Sequence, residues 1–367
     1  MSSDSGAGKI SFLQLSMIFL LSNGLISHVV INPMLLESSG RDAWLVPLVS
    51  ILPAIAWYSA VYFIMRRTAQ ANLQSWLASR TSPFASRLLL FPVYVHVYMI
   101  GAIELIHTGN WTATNYLPET PKTALILLLL VISCIASAYG IRAIAIGSGV
   151  LLPIVFLLGY FVAISNTRLK DYKLLMPVLE HGWSPVFDGL VYAVGGLSEV
   201  TLLVLLQHRL KNKVKWWHLL VLVLLLIQIM LGPIVGAITE FGPTEASRQS
   251  ESPFEQWRLV QIGPFIEHVD FLSVHQWLSG STVRISLAMY LLSEFLGGTA
   301  NSKRRRWIVI ACALSYFALT FIPMNQLELY QFKLKYFIPG ALIVELCVTV
   351  VWLIAAVILK PGKERTT

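Results

Sequence analysis

The chain has 367 residues, of which 56% are hydrophobic and only 13% are charged, and its formal net charge is +8. Soluble globular proteins carry about 25% charged residues, so this chain has too few to cover a water-facing surface. Its recurring runs of about 20 apolar residues have the length that an α-helix needs to cross a hydrocarbon core. The composition excludes a soluble protein and predicts an all-α polytopic membrane protein.

The apolar runs predict ten transmembrane helices, which we name spans 1 to 10 in chain order. We expect them to form a single integral membrane domain that covers residues 1–367. The expected ranges are 10–30, 44–65, 84–109, 122–139, 143–165, 186–207, 216–238, 271–299, 307–323 and 338–359.

The connections between the spans alternate in charge, and the basic ones should face the cytoplasm. This rule places both termini inside, with Lys213 and Arg305 cytoplasmic and Glu119 and Glu251 on the opposite side. Because the basic residues are spread over several loops instead of forming one patch, no nucleic-acid partner is expected. The basic connections hold Lys9, 66–87, Arg142, 208–215, 302–306 and 360–365; the others are 37–42, 117–122 and 240–270.

The long connection at 241–268 contains a helix signature. Ser252 can cap a helix, Pro253 suits its first position and Glu255 completes a capping box. We expect a short amphipathic helix that rests on the outer membrane surface or on the protein, and an ordinary packed loop helix is the alternative. The apolar face of that helix would consist of Phe254, Trp257 and Val260.

Two spans carry glycine in the middle of their apolar runs. Span 1 contains "LLSNGLISH" (Leu20–His28), and span 6 contains "VGGLSE" (Val194–Glu199). In many transporters, interrupted helices in corresponding positions of two repeats face a substrate at the middle of the membrane. Spans 1 and 6 are the first helices of two five-helix halves. We therefore predict a five-plus-five inverted repeat with broken helices 1 and 6, leucine-transporter-like, with repeat one over about 10–165 and repeat two over about 186–360.

Several charged residues lie well inside the predicted spans, where ionisable side chains usually mark functional sites. They are Glu104 in span 3, Glu199 in span 6, Arg284 and Glu294 in span 8, and Glu345 in span 10. For Glu104 and Glu199 we favour a functional role, in the case of Glu199 because it adjoins an interruption. A structural ion pair or an extension to the membrane surface is the alternative for Arg284 and the favoured interpretation for Glu294.

Four stretches resemble the spore germination permease family, the B subunit of the nutrient germinant receptors of endospore-forming bacteria. They occur in the family's order and spacing and cover nearly the whole chain. They are "GRDAWL" (Gly40–Leu45), "LPETP" (Leu117–Pro121), "LLMPVLEHG" (Leu174–Gly182) and the segment from "FEQWRLV" to "SLAMYLL" (Phe254–Leu292).

The resemblance implies a fold similar to the amino acid–polyamine–organocation transporters, with two inverted five-helix repeats. It also implies a location in the spore inner membrane and two partners, a larger membrane A subunit and a lipoprotein C subunit. The family's role is to sense a small nutrient, commonly an amino acid, and to trigger germination. The chain departs from the family in span 1, where "SNGLIS" has a single glycine and His28 and Asn32 are unusually polar.

We expect a small nutrient to bind between spans 1, 3, 6 and 8. Backbone amides of Asn23, Gly24 and Leu25 would meet a carboxylate, since helix N-termini favour anions, and the span 6 interruption would contact the amino group or side chain. The predicted ligand-binding residues are Ser22, Asn23, Gly24, Leu25, Ile100, Gly101, Glu104, Gly195, Gly196, Leu197, Ser198, Glu199, Ser281 and Thr282.

Two other functions stay open. The chain can be an amino acid/proton symporter of the same fold, with Glu104 or Glu199 as the proton carrier. An intramembrane enzyme ranks third, because the spans contain no recognised nucleophile–base or metal arrangement. We therefore predict that the protein is not an enzyme and that it needs neither a cofactor nor a metal.

Overall fold

A computed structural model describes residues 8–263, 268–297 and 303–359. Within these ranges the regular structure is helical, apart from one isolated β-bridge between Ile10 and Leu210. Ten long helical segments occupy the positions of the predicted spans. In chain order they are Phe12–Leu25 continued by Ile26–Val30 and Ile31–Ser39 (span 1), Ile51–Arg67, Pro83–Asn115, Lys122–Tyr139, Ile141–Ser165, Ser184–Leu197 continued by Ser198–Thr201 and Leu202–Leu206 (span 6), Trp216–Phe241, Phe271–Phe295, Lys303–Leu319, and Gln326–Phe332 continued by Lys333–Phe337 and Ile338–Ile358 (span 10).

Short helices lie in the connections between these segments. They follow spans 1, 2, 5, 6 and 7 and keep most of the loops close to the bundle. They are Gly40–Trp44, Leu45–Val49, Leu73–Ala78, Asn166–Leu169, Tyr172–Leu175, Gln207–Arg209, Pro243–Ala246 and Ser252–Arg258.

Seven helical stretches in the described part of the chain are long and apolar enough to cross a membrane. They hold eight of the ten spans, because the stretch Phe12–Arg67 contains spans 1 and 2. Span 9 is only 17 residues long and starts with four consecutive basic residues. Span 8 has a lower mean hydropathy because it carries serines and a buried arginine, and most of its residues are buried inside the bundle.

The distribution of polarity is that of a membrane protein. Large apolar side chains point outward, such as Leu128 (61% exposed), Leu157 (71%) and Ile343 (61%). Charged side chains lie inside instead, with Glu104 at 3% and Arg284 at 1% exposure. Since lipid cannot solvate a charge, such residues must face the interior of the bundle.

The predicted basic connections gather at one end of the bundle. The backbone N–H of Ile10 donates to the carbonyl of Arg209 (2.8 Å). The Arg209 guanidinium and the Arg305 side chain both contact Glu294, and His208 lies 3.4 Å from the same carboxylate. Glu294 is therefore a structural ion pair, as predicted. The chain termini, 1–7 and 360–367, lie outside the described residues.

Two of the stretches that carry the family resemblance meet at the opposite end. The Asp42 carboxylate accepts hydrogen bonds from the backbone N–H groups of Leu179 (2.8 Å) and Glu180 (3.1 Å). Arg41 contacts Glu180 (3.0 Å) and donates to the carbonyl of Met176. "GRDAWL" therefore fastens the end of span 1 to the segment that leads into span 6.

The predicted loop helix is present at Ser252–Arg258 and packs on the protein. Its apolar face turns inward, and Trp257 is 2% exposed. The predicted capping box is wrong: Glu251 takes the N-cap position without a side-chain cap. The Ser252 hydroxyl donates instead to the side-chain oxygen of Asn32 (3.1 Å), so it links the loop helix to span 1.

Candidate functional site

Both predicted interruptions are present as changes of helix type, and the backbone does not unwind at either of them. In span 1 the α-helix Phe12–Leu25 gives way to a π-helical turn at Ile26–Val30. In span 6 the helix tightens into a 3₁₀ turn at Ser198–Thr201. Single π and 3₁₀ turns inside long helices are frequent at functional sites and hinges.

This geometry corrects the expected role of one backbone segment. Asn23, Gly24 and Leu25 form the last turn of a regular α-helix, and the irregular turn starts only at Ile26. Helical amides bond to carbonyls four residues earlier. The prediction that the amides of Asn23–Leu25 are freed to bind a carboxylate is therefore wrong.

The Asn23 side chain joins the two irregular helices. Its amide nitrogen donates to the carbonyl of Gly196 (2.7 Å) and lies 3.3 Å from the Glu199 carboxylate. Gly196 precedes the 3₁₀ turn, and its carbonyl accepts this bond from a residue 173 positions away. Spans 1 and 6 therefore meet at their interruptions, as the sequence predicted.

Arg284 of span 8 neutralises the buried carboxylates at this junction. Its guanidinium binds Glu199 through two nitrogens, at 2.5 and 2.7 Å, and its Nε lies 3.5 Å from Glu104. A third bond runs to the carbonyl of Ser22 (3.2 Å). Forked arginine–carboxylate pairs are strong and geometrically specific. Asn23, Glu104, Glu199, Ser281 and Arg284 form what we call the central charged cluster.

Hydroxyl groups hold the second carboxylate of this cluster. Glu104 accepts from Ser281 (2.6 Å) and from Thr108 (3.0 Å). Thr108 in turn accepts from the indole nitrogen of Trp277 (3.0 Å). These bonds connect spans 3 and 8, so all four spans of the predicted site contribute to one polar network.

Aromatic side chains cover the cluster on the side of the 241–268 loop. Trp111 stacks on Trp277 with 4.1 Å between ring centroids, and Phe254 meets Trp111 edge-on at 5.0 Å. Beside this stack, His107 Nε2 lies 3.6 Å from the Glu251 carboxylate. The cluster is thus covered on the side of this loop.

A third buried acid lies in span 10. Glu345 of span 10 is fully buried, and its carboxylate is 3.7 Å from His96 Nε2. Neither carboxyl oxygen has a partner in hydrogen-bonding geometry within the described residues, although the Thr201 hydroxyl interacts with it. Thr201 itself pairs with Thr349 (3.1 Å). This carboxyl group therefore has fewer polar contacts than those of Glu104 and Glu199.

A cavity of about 220 Å³ lies on the other side of span 1. We call it the lateral cavity; spans 1, 5, 7 and 8 and the loop helix form its walls. Leu25, Gly280 and Trp277 line it and separate it from the central charged cluster, since the added Cβ of Gly280 would lie 3.0 Å from Leu25. Only two predicted ligand-binding residues, Gly24 and Leu25, border it.

The structure brings some of the predicted residues together and leaves others apart. Asn23, Glu104, Glu199 and Ser281 are in the central charged cluster, together with the carbonyls of Ser22 and Gly196. The remaining residues of spans 3, 6 and 8 take structural positions. Ser198 donates to the carbonyl of Gly195 in its own helix, the Thr282 carbonyl accepts from Ser286, and Ile100 and Leu197 belong to the apolar core.

Two of the predicted glycines are packing positions. A Cβ on Gly101 would lie 2.5 Å from the hydroxyl of Tyr316 in span 9, which is away from the cluster. A Cβ on Gly195 would lie 2.8 Å from the Ile338 side chain and 3.1 Å from its backbone oxygen. These glycines let spans 3 and 6 approach their neighbours closely.

Sequence reasoning missed the central role of Arg284. It also missed Thr108, Trp277 and the pairing of His96 with Glu345. The available signal was charge: Arg284 is the only arginine or lysine within the helix of span 8, and spans 3, 6 and 10 each carry a glutamate for which the sequence shows no partner.

Comparison with known proteins places these features in a family. The family model described as spore germination protein matches residues 9–329. The chain is 38% identical to Spore germination protein XB of Bacillus anthracis over 330 residues, which is 90% of this chain and 92% of that protein. It is 22% identical to Spore germination protein KB of Bacillus subtilis (strain 168) over 289 residues, or 77% of this chain and 76% of that protein.

The fold is similar to that of a solved transporter. The structure of MhsT in complex with L-phenylalanine matches with a TM-score of 0.65 at 11% identity, over 95% of this chain and 92% of that chain. This likeness confirms the predicted leucine-transporter-like architecture. The match to the family model and the relative from Bacillus anthracis also confirm the resemblance found in the sequence motifs. The chain belongs to the spore germination protein family.

Proposed function

We propose that this protein is the B-type subunit of a nutrient germinant receptor and that it senses a small amino acid. Membership of the spore germination protein family and the transporter-like fold support a receptor or transporter role. The neighbour MhsT is described in complex with L-phenylalanine, which favours an amino acid as the ligand. Following the family resemblance, we assign it an A subunit and a lipoprotein C subunit as partners. The same resemblance favours the spore inner membrane as its location and a non-enzymatic role.

The observation that carries the proposal is the charge pattern of the central charged cluster. One guanidinium and two carboxylates lie within contact distance where spans 1, 3, 6 and 8 meet. An α-amino acid carries one carboxylate and one ammonium group. Arg284 suits the first, since arginine binds carboxylates in a forked geometry, and Glu104 and Glu199 suit the second.

In this mechanism Arg284 and Glu199 pair with each other as long as no amino acid is bound. An incoming amino acid would exchange the Arg284–Glu199 pair for two new pairs, one at each of its ends. The exchange would separate span 8 from span 6 and release the aromatic cover. A ligand shifts such an equilibrium only if it binds the two states with different affinity, and an exchanged ion pair supplies that difference.

The proposal is tested in spores that carry this protein as their only B-type subunit. Germination is measured against each L-amino acid in turn, and again with its decarboxylated amine and its deaminated acid. We expect a response to one or a few amino acids, and none to analogues that lack either charged group. A response to a neutral or singly charged nutrient alone would contradict the assigned ligand chemistry.

A proton-coupled symporter is the second candidate, and one observation favours it. Glu345 and His96 form a buried acid–base pair next to the cluster, whereas Glu104 and Glu199 are already paired with Arg284 or with hydroxyls. Uptake of the identified amino acid into proteoliposomes, driven by a proton gradient, distinguishes the two functions. Gradient-driven uptake that is lost in Glu345→Gln would favour transport, and germination without uptake favours the receptor.

A further inference from the structure

The lateral cavity lies outside the site proposed for the nutrient. Its volume of about 220 Å³ exceeds the ~150 Å³ of an engineered apolar cavity that stays dry and binds benzene. It extends from His28, in the π-helical turn of span 1, to Lys170, which follows span 5. Such a volume is large enough for a group of several carbon atoms.

Two glutamines and the lysine on its walls are already occupied within the protein. Gln256 donates to the carbonyl of Pro233 (2.9 Å), and Gln276 donates to that of Val155 (2.9 Å). Lys170 donates to a carbonyl of span 5 (2.8 Å) and lies 3.6 Å from a glutamate of span 7. A charged or strongly polar ligand would lose its hydration without gaining free partners. The chemistry of the cavity therefore fits a hydrocarbon group.

The cavity opens sideways, between spans 5 and 7. The exposed side chains of Tyr160 and Gln228 face each other across this opening and share a hydrogen bond of 2.6 Å. Gly232, also exposed, borders the cavity, and no atom of the described residues lies within 4 Å of a Cβ placed on it. The neighbouring Leu157 is 71% exposed. An opening on an apolar surface of a membrane-spanning bundle lies at the depth of the hydrocarbon region, where lipid acyl chains are available.

We infer that the lateral cavity binds an acyl chain of a membrane phospholipid, which enters between spans 5 and 7. The acyl chain lies against the π-helical turn of span 1 on one wall and against Trp277 on another. Lys170 stands at the loop end of the cavity, where a phospholipid headgroup would lie. This binding site is independent of the nutrient proposed above.

Trp277 connects the bound acyl chain with the central charged cluster. Trp277 lines the cavity with one face, and its indole nitrogen donates to Thr108, which bonds to Glu104. An acyl chain in the cavity packs against Trp277 in this position and so favours the arrangement in which the aromatic side chains cover the cluster. An empty cavity leaves that side of the tryptophan without packing partners.

Photo-crosslinking of the full-length protein in lipid nanodiscs tests the site. The nanodiscs contain phosphatidylglycerol with a diazirine on one acyl chain, and crosslinked residues are mapped by mass spectrometry. We expect crosslinks on cavity-lining residues such as Phe156 and Ile229, in addition to those on the outward-facing Leu157. Crosslinks on Leu157 and similar outward residues alone would overturn the proposal.

A variant that fills the cavity provides the matched comparison. Gly232→Phe should reduce crosslinking at Phe156 and Ile229 by about tenfold, because a filled cavity of native density excludes other atoms, and should leave Leu157 unaffected. Gly340→Phe is the control, since a Cβ at that position in span 10 also meets nothing within 4 Å. Equal loss in both variants, or no loss in Gly232→Phe, contradicts the assignment.

A second probe separates the lipid from other hydrocarbons. A small aryl diazirine that dissolves in the bilayer is used in place of the labelled phospholipid. Labelling of Phe156 and Ile229 by the phospholipid probe supports the acyl chain, whatever the small probe does. Labelling by the small probe alone shows that the cavity takes a free apolar molecule and overturns the phospholipid.

Discussion

Arg284 is the residue on which the closed arrangement of the bundle depends. It binds Glu199, lies within ion-pair distance of Glu104 and donates to a carbonyl of span 1. The planar, forked guanidinium group can contact these partners at the same time, and the single ammonium group of a lysine could not. The buried pair is therefore a specific connection between spans 8 and 6, and its removal leaves two carboxylates without compensation.

This dependence predicts the effect of Arg284→Gln. Breaking a buried ion pair from one side costs about 3–5 kcal/mol, because the remaining charge is stranded. We expect a markedly lower melting temperature of the detergent-solubilised protein, measured by tryptophan fluorescence. The double variant Arg284→Met with Glu199→Met should recover much of that stability but not the germination response. Arg142→Gln, at an exposed position in the first turn of the span 5 helix, serves as the control. A melting temperature equal to that of the wild type would show that the pair is not structural.

Helix contacts are set by glycines whose neighbours leave no room for a side chain. Gly195→Ala would press a Cβ against the side chain and the backbone oxygen of Ile338. Overpacking of this kind costs about 1–3 kcal/mol, so the thermal stability should fall. Gly24→Ala should be tolerated, because its nearest neighbour, Ile229, would lie at 3.6 Å. Comparing the two melting curves checks the prediction, and equal curves would refute the packing role of Gly195.

The loop helix is fastened to the bundle by Glu251 and Ser252. Burial raises the pKa of the Glu251 carboxyl, but the bond with His107 and the nearby charges outweigh burial and hold the pKa below its ordinary value. A depressed pKa in the folded state contributes stability above the ordinary pKa of glutamate, and this stability is lost as the pH falls through the lowered value. The contact is therefore intact at neutral pH and weakens only in acid.

Hydrogen exchange of the segment 243–258 tests this attachment. Glu251→Ala should lower the protection of this segment at neutral pH, where protection compares the measured exchange rate with the intrinsic rate at the same pH. Acidification should lower the protection in the wild type but change that of the variant little. Glu245→Ala is the control, because Glu245 is exposed on the same loop. Wild-type exchange rates in Glu251→Ala would mean that the loop is held by its apolar face alone.

At the level of the whole molecule, the sequence predicted the elements better than their contacts. The ten spans follow from hydrophobic length, and each interruption begins two residues after a glycine (Gly24 and Gly196), because these signals are local. The pairing of Glu199 with Arg284 joins residues 85 positions apart, and no local pattern specifies it. The glycines of spans 3 and 6 suggested a ligand site, yet Gly101 and Gly195 serve packing. The sequence could not distinguish these two uses, because both require a residue without a side chain. The lateral cavity arises between four spans that are not consecutive.

The charge alternation predicts the orientation of the whole bundle. In a variant without native cysteines, Lys213→Cys should react with an impermeant thiol reagent only after the membrane is permeabilised. Glu119→Cys should react from outside. The second cytoplasmic reporter is Lys303→Cys. We use Lys303 instead of Arg305, because Lys303 is exposed and Arg305 is buried. Labelling of Lys213→Cys in intact cells would reverse the predicted orientation.

The most direct test of the proposed sensing mechanism is a germination dose–response curve for Glu199→Gln. The substitution keeps the shape of the side chain and removes the charge that would meet the ammonium group of the ligand. Since hydrogen bonds to charged groups contribute about 1.5–3 kcal/mol, the half-maximal amino acid concentration should rise about tenfold or more at an unchanged protein level. Glu119→Gln, at an exposed loop position, should leave the curve unchanged. A wild-type curve for Glu199→Gln would contradict the assignment of the nutrient to the central charged cluster.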